Sequence, residues 1–193
     1  MSGECRLYLV TGNKHKLEEA GAILEPYGIK LEQAPVTEKL EIQSESLVDI
    51  ALNAARDAYR RIRLPLIVDD SGLFIEALKG FPGPYSSYVY KKIGYTGILK
   101  LMEGVENRRA CFKTVAVLIH PPIEKVFIGE TCGVISDTPR GMGGFGFDPI
   151  FIPDGHTMTY AEMPFEEKNK VSHRYKAFSQ LGEWVRKSRI KCL

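Results

Sequence analysis

The sequence predicts an α/β protein built around a mixed β-sheet, and two observations carry that prediction. The chain opens with the order strand, helix, strand, at about residues 6–11, 14–26 and 29–34. Two long strand-like segments follow each other at 111–119 and 125–135, joined through Pro121-Pro122, which indicates an antiparallel hairpin. With 193 residues, of which 44% are hydrophobic, the chain can bury a real core, and we expect one domain over residues 1–193.

The first half of the chain continues with a second helix and a buried strand. Ser46 to Asp49 has the pattern of a capping box, and the apolar stripe behind it runs to about Ile62. After Pro65, the apolar run Leu66-Ile67-Val68 predicts a short buried strand. Asp69-Asp70-Ser71-Gly72 comes next, so we expect the strand to end there and to deliver polar side chains at its tip.

The second half combines loops with helices. Phe81-Pro82-Gly83-Pro84 predicts a loop, and residues 85–103 predict a helix that breaks at Gly94. A glycine-rich loop at 140–146 then leads into an extended segment that starts near Asp148. The chain closes with an amphipathic helix whose apolar face carries Ala177, Phe178, Leu181, Trp184 and Val185.

The charge and the cysteines exclude several classes of protein. A net charge of +2 is too small for a nucleic-acid binder, and the basic residues form only short groups such as Arg60-Arg61 and Arg108-Arg109. None of the cysteines has C-x-x-C spacing, so we expect neither a zinc site nor a disulfide framework, but reduced thiols. The cysteines are Cys5, Cys111, Cys132 and Cys192.

The apolar segments also indicate where the protein works. No signal-peptide pattern opens the chain, and no apolar run approaches the roughly 20 residues that a membrane helix needs. We therefore expect a cytoplasmic protein without a membrane partner.

The segment Thr11-Gly12-Asn13-Lys14-His15-Lys16 places two lysines where the first helix begins. The first turn of a helix presents unpaired N–H groups and the positive end of the helix dipole, so cations there are unfavourable unless an anion is bound. The pattern indicates a phosphate site. The alternative is that Asn13 only caps the helix while the lysines face solvent, and both interpretations remain open. The Walker pattern is absent, which argues against a P-loop NTPase.

Two acidic groups are candidates for a metal site. Asp69 and Asp70 are adjacent, and strand side chains alternate between faces, so we expect one to be functional and the other structural. The alternative is that both cap a turn. Glu38, Glu41 and Glu45 precede the second helix. Mg²⁺ binds few carboxylates together with waters and phosphate oxygens, so one glutamate and one aspartate would suffice.

The glycine-rich loop matches G-x-G-x-x-G, but we reject a dinucleotide-binding fingerprint. That fingerprint must open a helix, whereas Pro149 biases Asp148 away from helical geometry. Glycines beside Phe145 and Phe147 could instead let backbone and rings approach a flat ligand, the alternative being core aromatics beside a flexible loop. Lys168 and Ser172-His173-Arg174 form a last polar group suited to phosphate or to a base carbonyl.

Five separated motifs, in order, resemble those of the Ham1-like inosine triphosphate pyrophosphatase family, hydrolases of non-standard purine nucleoside triphosphates. The resemblance covers essentially the whole chain and implies an elongated mixed β-sheet flanked by helices, two lobes around a central cleft, and a homodimer. The motifs are Thr11-Gly12-Asn13-Lys14-His15-Lys16, Glu41-Ile42-Gln43, Asp69-Asp70-Ser71-Gly72, Phe145-Gly146-Phe147-Asp148-Pro149, and Lys168 with Ser172-His173-Arg174.

The resemblance also implies roles for residues, in hydrolysis of ITP, dITP or XTP to the monophosphate and pyrophosphate with Mg²⁺. Asp70 would accept the proton of the attacking water and would bind the metal together with Glu41. Asn13 and Lys16, with the rest of the segment from Thr11, would hold the triphosphate, assisted by Ser71 and Lys168. The base pocket would be lined by Phe145, Gly146, Phe147 and Asp148, with His173 and Arg174 reading the 6-oxo edge of the purine.

The chain departs from the family pattern in the second helix. Some family members carry a lysine in the second helix, where this chain has Leu52 to Arg56. Arg56 is the candidate to replace that lysine as a phosphate contact. Glu45 is an alternative to Glu41. The alternatives for function are a related pyrophosphatase for modified pyrimidine or methylated nucleotides, and a nucleotide sensor that binds without hydrolysis.

Overall fold

A computed structural model describes residues 5–188 of the chain. None of the helices in that range combines the length and the apolar character that crossing a membrane requires. The strands and helices are β1 (Cys5–Leu9), α1 (Lys14–Leu24), β2 (Ile29–Gln33), α2 (Leu47–Ile62), β3 (Leu66–Ile75), β4 (Pro82–Gly83), α3 (Ser86–Leu101), β5 (Arg109–His120), β6 (Ile123–Ile135), β7 (Phe151–Pro153), α4 (Phe165–Val171) and α5 (His173–Ser188).

The strands form one mixed sheet in the order β2-β1-β3-β5-β6-β7, with β4 beside β3. β1 runs parallel to β2 and β3, whereas β4 runs antiparallel to β3 and β7 antiparallel to β6. β5 and β6 are neighbours joined by Pro121 and Pro122 alone, and so short a connection joins only antiparallel strands. The predicted α/β class and the mixed sheet are confirmed.

The chain divides into two compact units, and β3, β5 and β6 contribute residues to both. Within the described range, unit 1 comprises residues 5–70, 114–129 and 174–188, and unit 2 comprises 71–113 and 130–173. The core of unit 1 packs apolar side chains of α1 and α5 against β1, among them Leu7, Leu9, Ala20, Leu24, Phe178 and Leu181. The core of unit 2 is rich in aromatic residues, including Phe147, Phe151 and Tyr160.

Local signals set the helix boundaries much as the sequence predicts. The Ser46 hydroxyl accepts a hydrogen bond from the Asp49 N–H at 3.2 Å and caps α2. α3 spans the predicted segment, and Gly94 leaves helical geometry inside it with φ 62°. The glycine-rich loop opens no α-helix, since Asp148–Ile150 is a single 3₁₀ turn before β7. This agrees with the rejection of a dinucleotide fingerprint.

The expected end of β3 at Asp69 is wrong, because the strand continues through Asp70, Ser71 and Gly72 to Ile75. β4 pairs with this extension, so that Leu73 lies opposite Gly83. A Cβ atom on Gly72 would stand 2.3 Å from the Gly83 carbonyl oxygen, so only glycine allows the two strands to approach this closely. The two aspartates therefore belong to the strand itself and not to a turn at its tip.

The expectation of reduced thiols is also wrong for Cys111 and Cys132, which form a disulfide. The bond links β5 to β6, with Cα atoms 4.0 Å apart. Short-range spacing does not reveal it, because the two cysteines lie 21 residues apart and meet only through the register of the hairpin. Cys192 lies outside the described residues.

Replacing both Cys111 and Cys132 by serine should lower the free energy of unfolding by about 3 kcal/mol, because the unfolded chain is then no longer closed into a loop. Guanidinium unfolding of the variant and of the non-reduced protein measures the difference. An unchanged midpoint, together with alkylation of both cysteines in the native protein, would contradict the cross-link.

Candidate functional site

A buried carboxylate, Asp69, is the centre of the charged group in unit 1. Its Oδ2 atom lies 3.0 Å from Lys16 Nζ and 3.5 Å from Arg174 Nε. Arg174 also forms an ion pair with Glu19 through Nη1. α1 supplies Lys16 and Glu19, β3 supplies Asp69, and the first turn of α5 supplies Arg174. The structure thus brings together residues from three of the motifs that the sequence singled out.

Burial and charge oppose each other at Asp69 and Lys16. Burial raises the pKa of Asp69, but Lys16, Arg174 and Lys39 lower it by more, to about 2. Burial also lowers the pKa of Lys16, an effect that Asp69 only partly offsets. Asp69 is therefore ionised at neutral pH and acts as a fixed counter-ion for the cations around it.

A second charged group in unit 1 joins Asp70 to the segment between β2 and α2. Lys39 Nζ lies 3.2 Å from Glu41 Oε1 and 3.8 Å from Asp70 Oδ1, and it donates a hydrogen bond to the main-chain oxygen of Asp69 at 3.1 Å. Lys39 and Asp70 are each 13% exposed at the side chain, whereas Glu41 is 58% exposed. Strand alternation explains why Asp69 and Asp70 have different partners.

Burial is the main influence on the Asp70 carboxyl. It raises the pKa of Asp70, and Lys39 and Lys16 lower it by less. For Lys39, burial lowers the pKa, but Asp70, Asp69 and Glu41 together raise it above its ordinary value. Asp70 is thus a better proton acceptor than an exposed aspartate.

The segment from Thr11 to Lys16 forms a tight entry to α1. The Thr11 hydroxyl accepts from the Asn13 N–H at 3.1 Å, and Asn13 Oδ1 accepts from the His15 N–H at 3.0 Å. Asn13 is thus the helix cap, as the simpler interpretation predicts. Gly12, Lys14 and His15 are exposed, and His15 lies 4.0 Å from Glu18. Of the two lysines, Lys16 alone turns inward to Asp69.

Three further candidates of the sequence have other placements. Glu45 is exposed, and the Glu38 carbonyl oxygen accepts a hydrogen bond from Arg61 at 2.8 Å. Arg56 pairs with Glu124 through two contacts of 2.6 and 2.9 Å. Of the three glutamates Glu38, Glu41 and Glu45, Glu41 shares Lys39 as an ion-pair partner with Asp70.

In unit 2, Asp148 and Lys168 form a buried ion pair. Lys168 Nζ lies 2.7 Å from Asp148 Oδ2, which also accepts a hydrogen bond from the Phe145 N–H at 2.8 Å. The ammonium stands 5.1 Å from the ring centre of Phe145, which is half-buried. Gly144, at φ +69°, leaves room for Asp148, since a Cβ atom there would come 2.1 Å from the carboxylate. The pair therefore holds the glycine loop in shape.

Other predicted members of the base pocket are deep in unit 2. Phe147 is 3% exposed and meets Tyr90 edge to face, with ring centres 5.4 Å apart. His173 is 4% exposed and stacks on Phe112, with ring centres 4.7 Å apart. Gly146 is half-buried. Ser71, which the resemblance places at the triphosphate, is half-buried in β3. Phe145 is therefore the ring of this motif that stays partly accessible.

A surface depression of about 660 Å³ in unit 2 involves none of the predicted site residues. Its arginines are held by groups of the protein, since Arg108 donates to main-chain oxygens, Arg109 pairs with Asp154 and Arg140 donates to the Thr157 carbonyl. The depression therefore offers little to an anionic ligand.

The sequence arguments missed two residues of the charged groups. Glu19 follows Lys16 by one helical turn and lies on the same face as Ala20 and Ile23, so a carboxylate on the buried face of α1 was the available signal. Lys39 gave no signal beyond its position among glutamates, because its partners on β3 are 30 residues away.

Replacing Asp69 by asparagine should lower the free energy of unfolding at pH 7 by about 3 kcal/mol, since Lys16 and Arg174 would lose a buried counter-charge. The matched control is Asp57→Asn, which breaks a more exposed pair with Arg61 and should cost less than about 1 kcal/mol. Urea unfolding measures both, and equal costs would contradict the central place of Asp69.

A comparison of the wild-type protein with the Asp69→Asn variant also predicts an effect of pH on stability. The pKa of Asp69 is about 2 in the folded protein against an ordinary value of 3.8, so its stabilisation is complete above pH 4 and is lost as the pH falls toward 2. The wild-type protein should lose this contribution over that range, and the asparagine variant should lack it.

The chain is similar to known proteins over nearly its whole length. Residues 7–184 match the model of the Ham1 family. The chain is 54% identical over 184 residues to the dITP/XTP pyrophosphatase of Hyperthermus butylicus, covering 95% of this chain and 96% of that protein, and 49% identical over 183 residues to the enzyme of that name from Thermococcus kodakarensis, covering 95% and 98%. The solved structure of a HAM1 protein from Coxiella burnetii has a TM-score of 0.82 at 32% identity and covers 95% of this chain and 99% of that one. This chain belongs to the Ham1 family.

Proposed function

We propose that the protein hydrolyses non-standard purine nucleoside triphosphates, namely ITP, dITP and XTP, to the nucleoside monophosphate and pyrophosphate. Relatives that are 49% to 54% identical in sequence to this chain are named dITP/XTP pyrophosphatases. The observation that carries the proposal is that Lys16, Asp69, Asp70 and Glu41, from three separate segments, lie in two charged groups of unit 1 that Lys39 connects through the main-chain oxygen of Asp69. Such an enzyme would remove damaged purines from the nucleotide pool of the cytoplasm.

Asp70 and Glu41 fit a divalent metal, which we propose to be Mg²⁺. Both offer carboxylate oxygens, the ligands that Mg²⁺ prefers, and both lie within 4 Å of one cationic nitrogen, Lys39 Nζ, which shows that a positive charge is accommodated there. The bound metal would neutralise charge on the phosphates and help to orient water.

The residues of unit 1 supply the remaining parts of a displacement at phosphorus. Asp70 accepts a proton from water as the new bond forms between the water oxygen and the α-phosphorus, and the bond to the bridging oxygen breaks with pyrophosphate as leaving group. Lys16 stabilises the charge on the phosphates, and the N–H groups at the start of α1 contribute the positive end of the helix dipole. Thr11 and Asn13 keep that turn in shape through their capping hydrogen bonds.

We propose that unit 2 contributes base recognition. The half-buried Phe145 ring offers a stacking face beside Lys168. The loop is held in place by the hydrogen bond from the Phe145 N–H to Asp148 and by the packing of Phe147 against Tyr90. Hydrogen-bond donors such as His173 and, from unit 1, Arg174 suit a 6-oxo group, whereas the amino group of adenine would leave donors facing a donor. Lys168 and Ser71 are proposed to assist in holding the triphosphate. His173 and Arg174 stay predictions in this role, since both are buried against other side chains.

A product assay tests the function. With Mg²⁺ and a panel of ITP, dITP, XTP, GTP and ATP, we expect the oxo-purine substrates to be preferred and pyrophosphate to be released. Asp70→Asn should lower kcat at least about 100-fold, because the proton acceptor is lost, without changing the thermal midpoint of unfolding by more than a few degrees. Asp57→Asn, in a surface ion pair, is the matched control.

Three outcomes would contradict the proposal. They are release of orthophosphate in place of pyrophosphate, equal rates with ATP and ITP, and a near-normal rate for the Asp70→Asn variant. Saturable binding of ITP without any product would support the nucleotide sensor instead.

We also propose a homodimer, on the resemblance and on an apolar surface in unit 2. The stretch around α3 exposes several large apolar side chains, namely Phe81, Tyr85, Tyr88, Ile93 and Leu101. Tyr88 is 64% exposed, an unfavourable arrangement for an isolated chain.

Tyr88→Glu should shift the protein toward the monomer in sedimentation equilibrium, because it places a charge in the apolar surface. A wild-type protein that sediments as a monomer at micromolar concentration would contradict the dimer.

A further inference from the structure

Lys39 has an environment unlike that of an ordinary surface lysine. Its ammonium is surrounded by oxygen atoms of three residues, at 3.1 Å from the Asp69 carbonyl, 3.2 Å from Glu41 Oε1 and 3.8 Å from Asp70 Oδ1. Lys30, by contrast, pairs with Glu32 and is 49% exposed at the side chain. Lys39 is 13% exposed, so most of its length is packed against the protein.

Two of the three oxygen atoms around this nitrogen, those of Glu41 and Asp70, are also the ones proposed to hold the metal. Glu41 and Asp70 both point at the ammonium, in the manner of ligands around a cation. Mg²⁺ requires oxygen ligands at about 2.0–2.1 Å, shorter than any of the contacts to Lys39. An ammonium and a divalent ion therefore cannot occupy the position between the two carboxylates together.

We infer that Lys39 is the resident counter-ion of the Glu41–Asp70 pair, and that its ammonium must leave this position before a divalent metal binds there. The inference rests on the proposed function, since it takes the two carboxylates as metal ligands. It gives the chain a positioning residue that none of the five motifs contains.

The charge balance of unit 1 supports a competition of this kind. The cations of the two charged groups are Lys16, Lys39 and Arg174, and the carboxylates are Glu19, Glu41, Asp69 and Asp70. With Lys39 these residues carry one excess negative charge, and without Lys39 they carry two. Lys39 therefore lowers the repulsion between the carboxylates in the metal-free protein and weakens their attraction for another cation.

Removal of the Lys39 charge should make metal binding tighter. In Mn²⁺ titrations of the nucleotide-free protein, followed by electron paramagnetic resonance, we expect Lys39→Met and Lys39→Gln to bind Mn²⁺ about tenfold more tightly than the wild type. The glutamine variant keeps a donor for the Asp69 carbonyl oxygen. Lys39→Arg keeps the charge and should stay within about threefold of the wild type.

Two further measurements separate this effect from a general one. Lys30→Met is the matched control and should leave Mn²⁺ affinity unchanged, because Lys30 pairs with Glu32 and, within residues 5–188, with neither Glu41 nor Asp70. The thermal midpoint in EDTA should fall for Lys39→Met, since the carboxylates lose their counter-ion, and Mn²⁺ should raise it more than it does in the wild type.

The outcomes distinguish failure of the inference from failure of the proposed function. Active wild-type enzyme that binds Mn²⁺, together with unchanged or weaker affinity in Lys39→Met and Lys39→Gln, overturns the inference alone. So does affinity in Lys39→Arg as tight as in the methionine variant, because charge would then not be the cause. If Lys39→Met instead raises the KM for dITP and leaves Mn²⁺ affinity unchanged, the inference is overturned and Lys39 is a phosphate ligand. A wild-type protein that neither binds Mn²⁺ nor hydrolyses dITP ends both proposals.

Discussion

The buried Asp69 carboxylate is the constraint on which the charged groups of unit 1 depend. It lies in the middle of β3, 1% exposed, and its negative charge is tolerated only because Lys16 of α1 and Arg174 of α5 are close to it. Since neighbouring side chains of a strand point to opposite faces, the orientation of Asp69 also fixes that of Asp70. The main-chain oxygen of Asp69 then anchors Lys39, which brings Glu41 beside Asp70.

Under the proposed function, stability and activity would depend on some of the same residues. Lys16 serves as counter-ion of Asp69 in the free protein and is the cation proposed for the phosphates, so its ammonium is held in place before a substrate arrives. In unit 2, Lys168 has a similar double position, paired with Asp148 and next to the Phe145 ring. Groups fixed in advance lose little freedom on binding, which is an advantage for a site that stabilises developing charge.

Features that depend on near neighbours in the sequence could be predicted, and features that depend on distant partners could not. The cap at Ser46, the break at Gly94 and the hairpin of β5 and β6 follow from local patterns. The continuation of β3 requires β4 as a partner, and the Cys111–Cys132 bond requires the hairpin register.

The same distinction between near and distant partners applies to the candidate site. The motifs singled out Lys16 and Asp70, which lie in the charged groups of unit 1, because lysines at a helix start and acids next to a buried strand are unusual on physical grounds. They also singled out Arg174, but for the purine base, whereas its side chain is paired with Glu19 and Asp69. They did not identify Lys39, whose importance comes only from oxygen atoms on a remote strand. Nor could they show that Phe147 and His173 pack deep in unit 2.

The most direct test of this account is a crystal structure of the nucleotide-free protein soaked in Mn²⁺, with the ion located by its anomalous scattering. We predict a peak in contact with carboxylate oxygens of Glu41 and Asp70, with the Lys39 ammonium displaced from the position it has here. A peak remote from both carboxylates, or a Lys39 that still bridges them beside a fully bound ion, would contradict it.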